Sequence, residues 1–229
     1  MRSVIVVVIA LLAPLGVFGN TVVIGPGPEI GQDTYVSQTY PDENYGDLEW
    51  MSAGTTVFAF LRFTQLDEYI GYEITSANLG LRVTFASPLT RYFCRVLGPW
   101  DEDTLTWDNQ PEHSHTEYVY YYIEEDPDWT WITIDVTWMV RKWLDEEWEN
   151  FGWCIKDFAK LVCFATSNID ITGVKPALFL DGDLPELGVQ PTSLGKIKSL
   201  FTPQLEYSGG GGRIGRPAPH RSWMMGVRG

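Results

Sequence analysis

Residues 95–111 of the chain read RVLGPWDEDTLTWDNQP, and the rest of the chain is organised around this stretch. A β-prone start leads to Pro99, and Pro111 ends the stretch. Because a proline cannot donate a hydrogen bond to a sheet ladder, the two prolines bracket a structured connection between strands. The connection contains Trp100 and Trp107, which either pack in a corner or stack on a ligand, and we favour packing. The stretch therefore predicts a strand that runs into an aromatic corner.

Alternation of apolar and polar residues predicts strands on both sides of this corner. Four apolar residues of segment 78–85, the last of them Phe85, fall on one face, as in a sheet with one buried side. Segment 118–123 places its three even-numbered tyrosines on one face and its odd-numbered residues on the other. A short helix is expected up to about residue 144, capped by Thr137 or Asp135. The pattern predicts an all-β protein, a jelly-roll-like two-sheet β-sandwich with one short helix.

The corner resembles the central signature of the DNRLRE domains, which are also classed as carbohydrate-binding module family 96. Four further pieces agree with that family in order, over about residues 32–180. They are Asp33-Thr34-Tyr35-Val36 with Asn44-Tyr45-Gly46, then Leu61-Arg62-Phe63, then Ile74-Thr75-Ser76-Ala77-Asn78-Leu79-Gly80-Leu81, and finally Ile134-Asp135-Val136-Thr137 with Trp143 and Asn150-Phe151-Gly152. The chain departs from the family at Lys175-Pro176, where Arg-Pro is frequent, and at Cys154 and Cys163, where aliphatic residues are usual. The resemblance implies the sandwich fold and a carbohydrate-binding role.

Composition divides the chain into five segments. The first has Arg2, an apolar run and small residues at its end, which predicts a signal peptide. A permanent membrane span is the alternative, and Pro14 and Gly16 disfavour it because they interrupt the apolar run. We therefore expect a secreted protein with no membrane partner after signal removal. The segments are a signal peptide at 1–19, a spacer at 20–31, the sandwich at 32–183, an amphipathic helix at 184–208 and a flexible basic tail at 209–229.

The charge distribution restricts the partners. Five of the 16 basic residues lie outside residues 20–208, which leaves 11 against 30 acidic residues and a net charge of −19 there. Such a field repels nucleic acid and bare anionic membrane, and it disfavours polyanionic glycans unless cations intervene. It favours neutral glycans, cations or basic partners.

Three cysteines in an exported chain leave at least one without an intramolecular disulfide. Cys154 and Cys163 lie on either side of a predicted four-residue loop, 157–160, so a hairpin between 151–156 and 161–166 would place them opposite one another. They are then either bridged or two small buried residues. We expect Cys94 to be an inert strand residue.

Aromatic residues beside acids in predicted loops are the candidates for ligand contact, because an aromatic ring there has little other reason to be exposed. Neighbouring carboxylates and amides could hydrogen-bond sugar hydroxyls. The alternative is that these are isolated surface residues, which are common. The predicted ligand-binding residues are Tyr45, Trp50, Asp108, Asn109, Trp129 and Trp148.

A second candidate site lies where the beginning and the end of the domain would meet if its first and last strands were neighbours. Four aspartates stand there, and their hard oxygen ligands suit calcium. These aspartates either bind a structural calcium ion or are solvated loop acids. Calcium is the one cofactor that we predict. Residues 113–117, with two histidines and a glutamate, could form a zinc triad, but we favour plain surface. The predicted calcium ligands are Asp33, Asp42, Asp181 and Asp183.

No catalytic motif stands out. The sequence has no Gly-x-Ser-x-Gly, no phosphate-binding Gly-Lys-Ser/Thr loop and no dinucleotide fingerprint. Acids are so frequent that no pair of them can be assigned to glycoside hydrolysis. We predict a non-catalytic module that adheres to extracellular polysaccharide. The alternative is a structural or cell-surface interaction domain that binds no sugar.

Overall fold

The computed structural model describes residues 20–25, 31–124, 129–157, 159–171 and 173–185. In these residues the chain forms eleven strands, a 3-10 helix at Thr64–Tyr69 and one α-helix, α1, at Thr137–Leu144. The predicted signal peptide, the basic tail and nearly all of the predicted 184–208 helix lie outside the described residues. The structure confirms the predicted all-β sandwich with one short helix.

Two antiparallel sheets make up the sandwich. Sheet A contains β1 (Asn20–Ile24), β3 (Trp50–Ala53), β5 (Ile74–Ala86), β8 (Thr130–Asp135), β10 (Val162–Ala165) and β11 (Ala177–Gly182). Its order is β1-β11-β5-β10-β3, and β8 also pairs with β5. Sheet B contains β2 (Gly31–Ser37), β4 (Val57–Phe63), β6 (Leu89–Val96), β7 (His113–Ile123) and β9 (Trp153–Lys156). Its order is β2-β4-β9-β6-β7, so β2 and β7 form its edges.

The main core lies between the two sheets. Leu79, Leu81 and Val83 of β5 belong to it as predicted, together with Phe93 of β6. Phe85 does not, because its side chain is 53% exposed. The ladder between β5 and β10 contains an irregularity that skips one residue of β5, so the in-out alternation slips there and Ala86 is buried instead.

A second apolar cluster covers the outer face of sheet B. Residues 97–112, the corner connection, fold back over this face, and Trp100 and Leu105 pack there against Val36, Phe60 and Cys154. Sheet B is therefore buried on both faces over its β2, β4 and β9 side. The connection that the two prolines predicted thus covers part of the outer face of sheet B.

The short helix begins where the sequence indicated. The N-cap position is Val136, and the carboxylate of Asp135, one residue earlier, accepts a hydrogen bond from the backbone N–H of Thr137 at 2.9 Å. This hydrogen bond lowers the pKa of Asp135. Val140, Trp143 and Leu144 are buried against the core, as the spacing predicted.

The structure corrects two predictions about connections. Residues 20–31, expected to be a spacer, contain β1, which pairs with β11 at the other end of the domain. The predicted hairpin with Cys154 and Cys163 is wrong, because β9 belongs to sheet B and β10 to sheet A. Both cysteines are free thiols. The chain crosses from one sheet to the other between these strands.

Candidate functional site

The corner tryptophans serve packing. Trp100 is 8% exposed, its indole N–H donates to the carbonyl of Phe151 at 2.8 Å, and its ring meets Phe60 edge-on at 5.6 Å. Trp107 is half-buried against Phe58, with ring centroids 5.0 Å apart. The packing alternative is therefore confirmed for Trp100, which has one polar atom and uses it inside the fold.

The Asn44-Tyr45-Gly46 piece has an architectural role too. The Asn44 side-chain amide donates to the carbonyls of Glu102 and Leu105 at 2.7 and 2.9 Å, which holds the first long loop against the corner. Gly46 must be a glycine, because a Cβ there would lie 2.6 Å from the Glu102 carbonyl oxygen. These signature residues join two loops and leave no free donor on Asn44 for a ligand.

One buried and one half-buried carboxylate meet at this loop junction. Asp33 is fully buried, and its carboxylate accepts hydrogen bonds from the backbone N–H and the hydroxyl of Ser167 at 2.8 and 3.0 Å. Its own backbone N–H donates to Glu102 Oε2 at 3.1 Å. Burial raises the pKa of Asp33 to about 6, and burial together with the charge of Asp33 raises the pKa of Glu102 to about 7. The pair links β2, the corner and the segment after β10.

The four predicted calcium ligands lie apart. Asp33 is on β2, whose partner in sheet B is β4, whereas Asp181 is on β11 in sheet A. Both carboxylate oxygens of Asp181 accept hydroxyl hydrogen bonds, at 2.6 Å from Thr21 and 2.7 Å from Ser76. Asp42 and Asp183 are exposed. The premise that the strand of Asp33 neighbours the last strand is wrong, because β1 takes that place, and these four residues do not fit one calcium ion.

The residues that the structure describes form no metal cluster: none of their histidines, cysteines, aspartates and glutamates gather in groups of three or more that could hold an ion. In segment 113–117, the Lys156 ammonium lies 2.8 Å from His113 Nε2 and 3.4 Å from His115 Nδ1. Burial, the charge of Lys156 and the neighbouring His115 lower the pKa of His113 to about 4. A lysine therefore occupies the space that a zinc ion would need.

The predicted ligand-binding residues fall on separate parts of the surface. Tyr45 stacks on Tyr35, with centroids 4.3 Å apart and planes 13° apart, and packs against the main core. Asn109 accepts from the Thr106 backbone at 2.7 Å and donates to the Thr104 carbonyl at 2.8 Å, so it shapes the corner. Asp108, its neighbour, is exposed.

The predicted tryptophans lie in two other places. Trp148, after α1, lies under the guanidinium of Arg95 at 4.2 Å and contacts the ring of Trp138 edge-on at 5.5 Å. Trp129 packs beside Ala165 on the outer face of sheet A, and Ala165 is the cross-strand partner of Trp50. Trp50 and Trp129 therefore share the outer face of sheet A, and Trp50 is 38% exposed.

A row of exposed aromatic residues lies elsewhere, on the part of sheet B that the corner leaves open. Tyr118, Tyr120 and Tyr122 of edge strand β7 are 37%, 69% and 57% exposed, while the odd-numbered residues face the core. Tyr92 of β6 lies opposite Tyr120, and its ring meets that of Tyr118 edge-on at 5.3 Å. These four residues form the tyrosine face. The sequence predicted the alternation but not which face stays open, and so these residues were not among the predicted ligands.

A cleft adjoins the first residues of β7. Its volume is about 630 Å³, and Phe58 and Pro111 supply apolar walls while Gln110, Glu112 and His115 supply polar groups. Lys156, on β9, lies opposite Tyr92 and reaches the histidines that line the cleft. An aromatic strip thus runs beside a cleft with hydrogen-bonding groups, which is the composition of a ligand site.

The fold and this surface define a class, a β-sandwich domain with an exposed aromatic face suited to ligand binding. The sequence model of carbohydrate-binding module family 96 matches residues 29–169, and the chain belongs to this family. A search of curated proteins finds no match. In the part of the chain that the structure describes, no helix has the length and apolar character to cross a membrane.

Proposed function

We propose that the chain is a secreted, non-catalytic module that binds an extended, neutral polysaccharide on its tyrosine face. The observation that carries the proposal is the row of three outward tyrosines on β7, the middle one 69% exposed. Membership of the carbohydrate-binding family supports the ligand class. The net charge of −19 over residues 20–208 favours neutral over polyanionic chains.

The geometry of the tyrosine face suits a polymer rather than a single sugar. Side chains two residues apart on one strand are about 6.8 Å apart, so the three rings of β7 extend over about 14 Å. The C–H faces of successive sugar rings would stack on these aromatic surfaces as the chain follows the strand. Polar groups at the cleft, such as Gln110 and Glu112, would hydrogen-bond hydroxyls. A shallow surface of this kind binds with modest affinity.

The test is retention of the purified protein by immobilised or gel-embedded neutral polysaccharides. Replacing Tyr120 by alanine removes the most exposed ring, and we expect affinity to fall roughly threefold to tenfold, as for the loss of one aromatic contact. Tyr72→Ala is the matched control, because Tyr72 is 41% exposed but lies in the turn after the 3-10 helix. Circular dichroism verifies that both variants are folded. Equal retention of Tyr120→Ala and the control would contradict the assignment of the surface.

Two variants test the surface that the sequence favoured. Trp50→Ala and Trp129→Ala change the outer face of sheet A, and we expect them to leave retention unchanged. If only these two variants lost retention, the binding site would be assigned to the outer face of sheet A instead of the tyrosine face. No retention of the unaltered protein by any glycan would favour a structural or cell-surface interaction domain. Release of soluble sugars by the purified protein would refute the non-catalytic role.

A further inference from the structure

Two of the three cysteines lie directly opposite one another in sheet B. Cys94 of β6 and Cys154 of β9 are register partners on neighbouring antiparallel strands. The residues next to them, Phe93 and Ile155, face the main core, so both thiols point to the outer face beneath the corner. Cys94 is 1% exposed and Cys154 is fully buried.

The strand geometry places this pair within reach of a disulfide. Just beyond the end of the β6–β9 ladder, the Val96 N–H donates to the Gly152 carbonyl at 3.1 Å, which marks these two facing residues as a hydrogen-bonding position of the two strands. Cys94 and Cys154, two residues further along each strand, are then a pair of the same kind. The Cα atoms of such pairs are about 5.5 Å apart. Disulfides span Cα separations of about 4.4 to 6.8 Å.

The third cysteine cannot compete for either partner. Cys163 lies on β10 of sheet A, where its Sγ is 3.3 Å from Ser52 Oγ. The two sheets of a sandwich are about 10 Å apart, which exceeds the span of a disulfide. Oxidation within one folded molecule can therefore join only Cys94 to Cys154.

We propose that Cys94 and Cys154 form a reversible cross-strand disulfide when the chain meets a disulfide oxidant. One cysteine thiolate attacks the oxidant's disulfide and releases one thiol. The second cysteine then attacks the mixed disulfide and releases the other thiol, so that two cysteine thiols and one oxidant disulfide yield the protein disulfide and two thiols. The supply of oxidant rests on the proposed export, but the bond itself does not depend on glycan binding.

Two features make this bond reversible and confine its formation to open states of the protein. Directly opposite Cβ atoms are about 4.5 to 5.5 Å apart, toward the upper value in hydrogen-bonded pairs, whereas a disulfide holds them near 3.8 Å. The strands must approach one another, and the resulting strain favours reduction. Burial also raises the pKa of both thiols, so exchange requires folding or opening of the corner, when Trp100 and Leu105 leave the face.

The experiment compares the purified protein with Cys163→Ser and Cys94→Ser variants after refolding in a mixture of oxidised and reduced glutathione. Each sample is then denatured, alkylated and mapped by mass spectrometry. In Cys163→Ser we expect a mass lower by two hydrogens, no alkylated cysteine and a linked peptide pair containing Cys94 and Cys154. Dithiothreitol should restore both thiols and lower the unfolding midpoint by a few degrees, less than the roughly 10 °C of an unstrained crosslink.

The control variant Cys94→Ser should form no intramolecular disulfide, and dithiothreitol should leave its unfolding midpoint unchanged. Alkylation of both Cys94 and Cys154 in the oxidised sample would overturn the proposal, as would a linkage to Cys163 in the unaltered protein. If Cys163→Ser does not fold, the peptide map of the unaltered protein decides between these outcomes. Glycan retention is not a readout, so the proposal fails or stands separately from the proposed function.

Discussion

Replacing Trp100 by phenylalanine tests whether the aromatic corner is part of the fold or part of the ligand site. The indole N–H bonds the Phe151 carbonyl at 2.8 Å, and the ring is buried over Phe60. Loss of one such hydrogen bond costs about 1 kcal/mol. Phenylalanine also leaves part of the indole volume empty, which adds about 1–2 kcal/mol. We therefore expect the free energy of unfolding to fall by about 2–3 kcal/mol, and polysaccharide retention of the folded variant to remain unchanged.

The free energy is measured by urea unfolding followed by tryptophan fluorescence and by far-ultraviolet circular dichroism, with the m-value compared between proteins. Trp138→Phe is the control, because Trp138 lies on α1 with 42% of its surface exposed, and we expect a change of less than about 1 kcal/mol. A loss below about 0.5 kcal/mol in Trp100→Phe would refute the packing argument. So would a variant of full stability that no longer binds polysaccharide.

Glu102→Gln and Gly152→Ala test the loop junction and the end of the corner. The folded pKa of Glu102, about 7, lies above its ordinary value of 4.5. The free energy of unfolding should therefore fall as the pH rises from about 4.5 to about 7, because the folded protein disfavours the ionised carboxylate. Glutamine keeps an oxygen for the Asp33 N–H and cannot ionise. In urea titrations the free energy of unfolding of the variant should match that of the unaltered protein at pH 5 and exceed it by about 1–2 kcal/mol at pH 8, a value discounted for partial exposure. Identical pH profiles of the two proteins would contradict this. In Gly152→Ala the new Cβ would lie 2.1 Å from the Leu61 carbonyl oxygen at φ +77°, and we expect a loss of more than about 3 kcal/mol or failure to fold. Gly71→Ala shares the positive φ in open space and should cost only about 1 kcal/mol in the same assay, and similar losses in the two variants would exclude the clash as the cause.

Local features of the sequence were enough to predict most of the strands and the helix, but not β1 or β3. The alternation at Leu79, Leu81 and Val83 indicates that one face of the strand is buried, and this holds for any neighbouring strand. The Asp135 carboxylate at the start of the helix bonds an N–H only two residues away. Such features depend on residues close together in the sequence, whose spacing matches the repeat of a strand or a helix.

Pairings over long distances were not predictable in the same way. Asn20–Ile24 is a strand because it pairs with β11. That partner lies about 160 residues away in the sequence, and nothing local indicates it. Residues near in sequence, such as Cys154 and Cys163, suggested a hairpin, yet each strand completes a different sheet. The true neighbour of Cys154 is Cys94, brought there by the order of sheet B.

The amino-acid sequence alone was sufficient for the family, the sandwich and the alternation of tyrosines along β7. Only the packed molecule decides that the corner covers the β2, β4 and β9 side of sheet B and stops short of Tyr118, Tyr120 and Tyr122. The physical reason is that alternation specifies which side chains share a face. Whether that face is covered depends on where a distant connection finds apolar surface to bury.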